Sequence, residues 1–152
     1  MTHGCIEALS EYGWGVEILT RSPLVTRDIP LLASCIGASV GFSNPTDDDE
    51  VRAVLEPAAP PISARVQVLR RAHEAGIKTW VFIAPILPMN PRRLVEQILP
   101  HIDYAMIDAL NYQGQVAGLF RQHGWDYAVT NEYAAKTSAE LTGLLGEKGR
   151  RA

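Results

Sequence analysis

The sequence predicts an α/β fold in which about four parallel strands form part of a (β/α) barrel, followed by C-terminal helices. Short apolar strands alternate with helices along the chain, an order that gives a parallel sheet with right-handed crossovers. Every predicted strand is followed by polar or proline-containing residues, as at the carboxyl rim where such folds bind ligands. The chain has 152 residues, 47% of them hydrophobic, which is enough for one core.

Hydrophobic spacing places the individual elements. Helices are predicted at 5–12, 29–36, 47–55, 63–76, 91–98 and from about 115 onward apart from 126–130. Strands are predicted at 16–20, 38–43, 78–84 and 104–107. The third strand is apolar on both faces, so we expect it to lie buried between layers. Thr46 is the expected N-cap of the helix at 47–55.

Composition argues against several classes of function, among them general nucleic-acid binding, metal binding by cysteine and membrane insertion. A net charge of −3 gives no general basic field for binding nucleic acid. The two cysteines, Cys5 and Cys35, form neither a disulfide framework nor a metal-binding pattern. No apolar run approaches the roughly 18 residues that a membrane helix needs, so we expect no membrane partner and a cytoplasmic protein. Trp14, Trp80 and Trp125 are expected in core or rim packing.

The residues after the four strands form the candidate site. They are Arg21-Ser22, Ser43-Asn44, Pro85 to Pro88 and Asp108 to Asn111. Carboxyl ends of parallel strands meet at one rim, so we expect these residues to share one site. Arg21 lies at the end of the first predicted strand, where such folds bind ligands. The alternative is structural, because serine, asparagine and aspartate also form turns and caps, and Asp108 could cap the turn that follows it.

Four segments in this order resemble radical S-adenosylmethionine (SAM) proteins of the spore photoproduct lyase group. They read ILTRSPLVTRDIPLL, SVGFSNPTDDDEVRAVLEPAAPP, ARVQVLRRAHEAGIKTWVFIAPILP and YAMIDALN. The likeness covers about residues 3 to 112. It implies that the four strands are the third to sixth of a (β/α)6 barrel, with a partial barrel at 1–112 and a C-terminal helical extension at 113–152.

The resemblance also implies roles for single residues. Arg21, where the family commonly has lysine, would reach the SAM carboxylate, next to Ser22. Ser43 would bind the amino-acid moiety or ribose of SAM, and Ile86 would contact adenine. The backbone around Leu110 and Asn111 would line the same pocket. Asp108 is a candidate site residue by its position at a strand end, and not by the resemblance. Met89 stands where the family leads us to expect glycine.

The resemblance breaks down at the iron–sulfur cluster. The family holds a [4Fe-4S] cluster with a CxxxCxxC loop, and a cluster needs three or four thiolates in one place. Cys5 and Cys35 do not fit that spacing. We therefore expect a C-terminal portion that is inactive by itself. Its expected partners are a cluster-bearing N-terminal half, or a second copy bound through the exposed edge of the first strand; DNA is implied only by the resemblance.

Two other hypotheses stay open at this stage. One is a non-catalytic α/β remnant or interaction module that holds SAM, another nucleotide or no ligand at its rim. The other is an unrelated small α/β protein that binds a phosphorylated metabolite through Arg21 and Ser43. For the radical SAM hypothesis, the expected chemistry is cleavage of SAM to a 5′-deoxyadenosyl radical and hydrogen abstraction from a substrate, with DNA photoproduct repair as one such reaction.

Overall fold

A computed structural model describes residues 2–111 and 113–151 of the protein. The strands are β1 (Glu17–Thr20), β2 (Ser39–Ser43), β3 (Lys78–Ile83), β4 (Tyr104–Ile107) and β5 (Gly149–Arg151). The helices are α1 (Thr2–Glu11), α2 (Ile29–Ser34), α3 (Asp49–Leu55), α4 (Ile62–Glu74), α5 (Pro91–Ile98), α6 (Gln113–Gln122) and α7 (Asn131–Leu145). Short 3₁₀ turns lie at 23–28, 99–101, 126–129 and 146–148.

The predicted fold class, an α/β fold with parallel strands and C-terminal helices, is confirmed. All strand pairs are parallel, and the strands lie side by side in chain order from β1 to β5. Each strand therefore neighbours its predecessor, which is the arrangement found along an arc of a (β/α) barrel. β5 was not predicted, because residues 149–151 were expected to continue the helical C-terminal region.

The main core lies between the helices and one face of the sheet. Alternate strand residues point to it, among them Val40 and Phe42 of β2 and Val81 and Ile83 of β3, and none of these four is exposed to solvent. Helices α1, α2, α4, α5 and α7 contribute their apolar stripes to the same cluster. This single layer of helices fixes the sheet and leaves its strand ends free to form a rim.

Aromatic side chains pack on the opposite face of the sheet around β3. The Trp80 ring packs over Gly41, where an added Cβ would meet Trp80 Cε2 at 2.3 Å. Trp80 also stacks on Tyr104 with ring centroids 5.5 Å apart. The predicted burial of the third strand is confirmed on both faces, because Trp80 on this face and Val81 and Ile83 on the other are buried.

Two local predictions are also wrong. Asp48, not Thr46, is the N-cap of α3, and its carboxylate accepts hydrogen bonds from the backbone N–H groups of Glu50 and Val51. The Thr46 hydroxyl accepts the Asp48 N–H at 3.1 Å and donates to the Pro88 carbonyl at 2.6 Å, since the loop after β3 packs on this segment. Trp14 was expected to pack, but it is 65% exposed.

The C-terminal residues join the same core as the barrel-like part. Leu141 and Leu145 of α7 are buried in the main cluster, and β5 pairs with β4. Tyr112, where the predicted division into 1–112 and 113–152 falls, lies outside the described residues, so that division stays a prediction. None of the helices within 2–111 and 113–151 has the length and apolar character required to cross a bilayer.

Candidate functional site

Arg21 forms the centre of the rim at the carboxyl end of β1. Its Nε lies 3.0 Å from Glu56 Oε1 and donates a hydrogen bond to Ser43 Oγ at 3.3 Å. Within the described part of the chain, Nη1 and Nη2 of Arg21 have no hydrogen-bond partner. The side chain is 50% exposed, so this fork can receive a ligand carboxylate in the two-bond geometry that arginine favours.

Glu56 is held in place by Arg65, a residue of α4 with no solvent exposure. Arg65 Nη2 donates to Glu56 Oε2 at 3.0 Å, Nη1 to the Ser43 carbonyl at 2.8 Å, and Nε to the Pro60 carbonyl at 3.0 Å. One buried guanidinium thus connects the end of β2 with the proline-rich loop after α3. Arg21 and Arg65 share the one carboxylate of Glu56, so this ion-pair group carries a net positive charge that an anionic ligand can balance.

Arg65 was not among the residues predicted for the site, although its spacing in the sequence indicates that it is buried. The spacing of Ile62, Arg65, Leu69 and Ala72 is that of one helical face, and all four are buried. Val66, the next residue along the helix, is only half-buried. An arginine at a stripe position of an amphipathic helix indicates a buried ion pair, because a buried charge needs a partner.

A cleft of about 700 Å³ opens beside Arg21 and Ser22. The loop from Glu56 to Pro60 forms one wall, Pro85 and Leu87 lie at its floor, and α6 contributes Phe120. Its volume falls in the range of about 300–1,000 Å³ that is usual for small-molecule sites. The cleft therefore combines an apolar interior with one free cationic fork at its mouth.

The other predicted residues lie in adjoining places along the rim. Ser43 shares a depression of about 490 Å³ with Arg21, and Asp108 and Asn111 line another of about 290 Å³ with Pro85. Asp108 Oδ1 also accepts the Ala109 N–H at 2.8 Å, which is the turn-capping role of the structural alternative. Ile86 is 1% exposed and lines a separate cavity of about 320 Å³ against α7.

Asn44 and Tyr133 are polar residues next to the rim, the first buried and the second half-buried. Asn44 follows Ser43 and is fully buried. Neither Nδ2 nor Oδ1 of its side-chain amide has a hydrogen-bond partner among the described residues. Tyr133 of α7 fixes the loop after β3, because its hydroxyl donates to the Leu87 carbonyl and accepts from the Met89 N–H, each at 3.1 Å. Burial raises the pKa of the Tyr133 phenol. The loop that carries Met89 in place of glycine is thus anchored by α7.

An iron–sulfur cluster does not fit the residues of this chain. Cys5 is exposed on α1 and Cys35 is buried at the end of α2. In the ranges 2–111 and 113–151 no three histidine, cysteine or acidic side chains are grouped so that they could hold a metal ion. With two cysteines in the whole sequence, the chain cannot supply the three thiolates that a cluster requires.

The chain is similar to proteins of viruses, archaea and bacteria. An uncharacterized protein of Acidianus two-tailed virus is 43% identical over 82 residues, which is 52% of this chain and 27% of the relative. An uncharacterized protein of Methanocaldococcus jannaschii is 29% identical over 98 residues, covering 63% of this chain and 38% of the relative. An uncharacterized protein of Mycobacterium tuberculosis is 30% identical over 127 residues, covering 77% and 37%.

These relatives are much longer than the segment they share with this chain. The matched region spans between 27% and 38% of their length. No family model matches the sequence. No solved structure matches it either.

Proposed function

We propose that the chain is the C-terminal part of the barrel of a radical SAM enzyme similar to spore photoproduct lyase, and that it binds the SAM carboxylate through Arg21. The free fork of Arg21, fixed at the mouth of an apolar cleft, is the observation that carries this proposal. The parallel strands in chain order and the motifs quoted above support it. A cytoplasmic location belongs to the same proposal.

The proposed roles follow from the positions of the side chains. Arg21 would bind the carboxylate with Nη1 and Nη2 while Glu56 holds Nε, so that binding does not require the ion pair to break. Ser22 and Ser43 would offer hydroxyl groups beside the same carboxylate or the ribose. Asp108 and Asn111 would line the far side of the rim, and Ile86 would support the adenine pocket from the core.

The activity proposed for the complete enzyme is reductive cleavage of SAM, which supplies a 5′-deoxyadenosyl radical for hydrogen abstraction from a substrate. DNA photoproduct repair is one reaction of the group, and the net charge of −3 gives it no additional support. Because the cluster ligands are absent from this chain, we propose that it is inactive alone. It would need a cluster-bearing polypeptide at the open edge of β1.

A second candidate is a non-catalytic α/β module in which Arg21 is structural. The chain of ion pairs from Arg21 through Glu56 to Arg65 favours it, because these contacts alone would explain a guanidinium at the strand end. The free fork could then bind a phosphorylated metabolite or nothing. The two candidates differ in which anion binds at the rim.

Calorimetric titration with SAM tests the proposal. Loss of a charge-assisted bidentate bond costs about 1.5–3 kcal/mol, so Arg21→Ala should weaken SAM binding roughly 10- to 150-fold. Arg71→Ala is the matched control, because Arg71 is exposed on α4 and its removal changes the net charge equally. Circular dichroism should show the same folded state in all three proteins.

Three other results of the titration would count against the proposal. If wild-type protein and Arg21→Ala bind SAM with the same affinity, Arg21 is not the carboxylate ligand and the proposed site is wrong. Binding of inorganic phosphate without any heat from SAM would favour the second candidate. Absence of heat with either titrant would favour a module without a ligand at this rim.

A further inference from the structure

β1 is an edge strand whose outward backbone groups have no partner within the described residues. The Ser39 N–H donates to the Val16 carbonyl at 2.8 Å, which shows that the backbone of Val16 faces β2. Because backbone direction alternates along a strand, Ile18 and Thr20 also face β2, while Glu17 and Leu19 direct their N–H and C=O groups outward. Exposed edges of this kind are templates for another strand.

We propose that two copies of the chain associate through β1, paired antiparallel with Leu19 at the twofold axis. In this register Leu19 faces Leu19 of the second copy, and Glu17 faces Arg21 of the second copy on both sides of the axis. The charges are therefore complementary on both sides of the axis. Leu19 and Glu17 direct their backbone groups outward, so they can form the closely spaced hydrogen-bonded pairs of an antiparallel ladder.

The side chains support the same register. Glu17, Leu19 and Arg21 alternate onto one face of the sheet, where residues opposite each other across a strand pair touch. Leu19 is 47% exposed and would be covered by its symmetry mate. Arg21 has Nη1 and Nη2 available for Glu17 of the second copy. Trp14 and Leu24, which are 65% and 79% exposed, lie just outside β1 at either end, so they add exposed apolar surface near this edge.

The edge carries only some of the features that prevent such pairing. Natural edge strands are protected by short length, charged side chains, proline, a bulge or a covering segment, and β1 has four residues and one charged side chain, Glu17. β1 reads Glu-Ile-Leu-Thr and contains neither lysine nor proline, and its four residues pair with β2 in unbroken register. The inference rests on this edge and not on SAM binding. A second copy and the cluster-bearing polypeptide of the proposed function would occupy the same edge, so the dimer is the form proposed for the chain without that polypeptide.

Cysteine cross-linking tests the register. In a Cys5→Ser background, Leu19→Cys should form a reducible disulfide-linked dimer under mild oxidation, because hydrogen-bonded partners in an antiparallel pair have Cα atoms about 5.5 Å apart. Glu17→Cys is the matched control. Its two copies would lie about 14 Å apart and should not cross-link, since four residues of strand separate them. A mixture of Glu17→Cys and Arg21→Cys should cross-link to each other.

Sedimentation equilibrium tests the association itself. The wild-type chain should show a dimer of twice 16.7 kDa that dissociates on dilution. Leu19→Lys should shift it to monomer by placing two like charges at the axis, whereas Ile36→Lys, at a residue that is 84% exposed elsewhere, should not. Glu17→Arg should also give monomer, and Glu17→Arg combined with Arg21→Glu should restore the dimer.

Two results would overturn this inference. One is a monomer at all concentrations up to the limit of solubility. The other is cross-linking by Glu17→Cys as strong as by Leu19→Cys, which would exclude the register. In the dimer, Glu17 of the second copy would occupy the Nη groups of Arg21 that SAM is proposed to use. SAM titrations should therefore be done at protein concentrations below the midpoint of dimer dissociation, where most of the chain is monomeric. Failure of SAM to bind the monomer would then refute only the proposed function.

Discussion

Replacement of Arg65 by methionine should destabilise the protein strongly. Arg65 is fully buried and makes three hydrogen bonds, to Glu56, the Ser43 carbonyl and the Pro60 carbonyl. Methionine fills much of the same space but donates no hydrogen bond, so three acceptors lose their donor. Glu56, whose side chain is only 10% exposed, would retain the half-exposed Arg21 as its partner.

The expected magnitude follows from these contacts. Removal of one member of a buried ion pair costs about 3–5 kcal/mol, and Arg21 compensates in part, so we expect a loss of roughly 3–4 kcal/mol. For a chain of this size that corresponds to a decrease in Tm of roughly 6–16 °C. Urea denaturation measures the free energy of unfolding directly. Arg70→Met is the control, because Arg70 is 49% exposed on the same helix and should change stability by less than about 0.5 kcal/mol.

A double variant separates the ion pair from simple loss of packing. Arg65→Met with Glu56→Gln should lose less than the sum of the single variants, because the second change removes the poorly compensated buried charge. If Arg65→Met remains within about 1 kcal/mol of wild type, the buried network contributes little and the reasoning is refuted. Additive losses in the double variant would show that Glu56 and Arg65 are not coupled.

Three other variants test the packing around the sheet. Gly41→Ala should cost about 1–3 kcal/mol in urea denaturation, because its Cβ would overlap the Trp80 ring, and a smaller residue at 80 should relieve the loss. Tyr133→Phe should cost about 1–3 kcal/mol and increase amide exchange in the loop after β3, which loses both bonds to the phenol. Burial lowers the pKa of His101 below its usual 6.5, so stability should decrease as pH falls below 6.5 and level off below the folded-state pKa. His101→Gln should flatten that dependence; an unchanged pH profile would show that His101 is not responsible.

Short-range patterns in the sequence were sufficient to predict much of the fold. The structure places α5 at Pro91–Ile98 and β4 at Tyr104–Ile107, which are the bounds that hydrophobic spacing predicts. In α5 a proline begins the helix and an apolar stripe of Leu94, Val95 and Ile98 faces the core. Such patterns reflect the period of the backbone, so they can be read without knowledge of distant contacts. The cap of α3 was misplaced by two residues. Thr46 Oγ1 accepts the Asp48 N–H and donates to the Pro88 carbonyl, 42 residues away in sequence, and the helix begins after Asp48.

The sequence alone determined the parallel α/β fold and the presence of an arginine at the end of the first strand. Only the tertiary structure decided how that arginine is held. Glu56 and Arg65 are separated from Arg21 by 35 and 44 positions, and their contacts arise from the crossover that lays α4 beside the strand ends. The burial of Asn44 and the addition of β5 to β4 were decided in the same way. Side-chain periodicity records which face of an element is buried, but it does not record which residue of another element will be its neighbour.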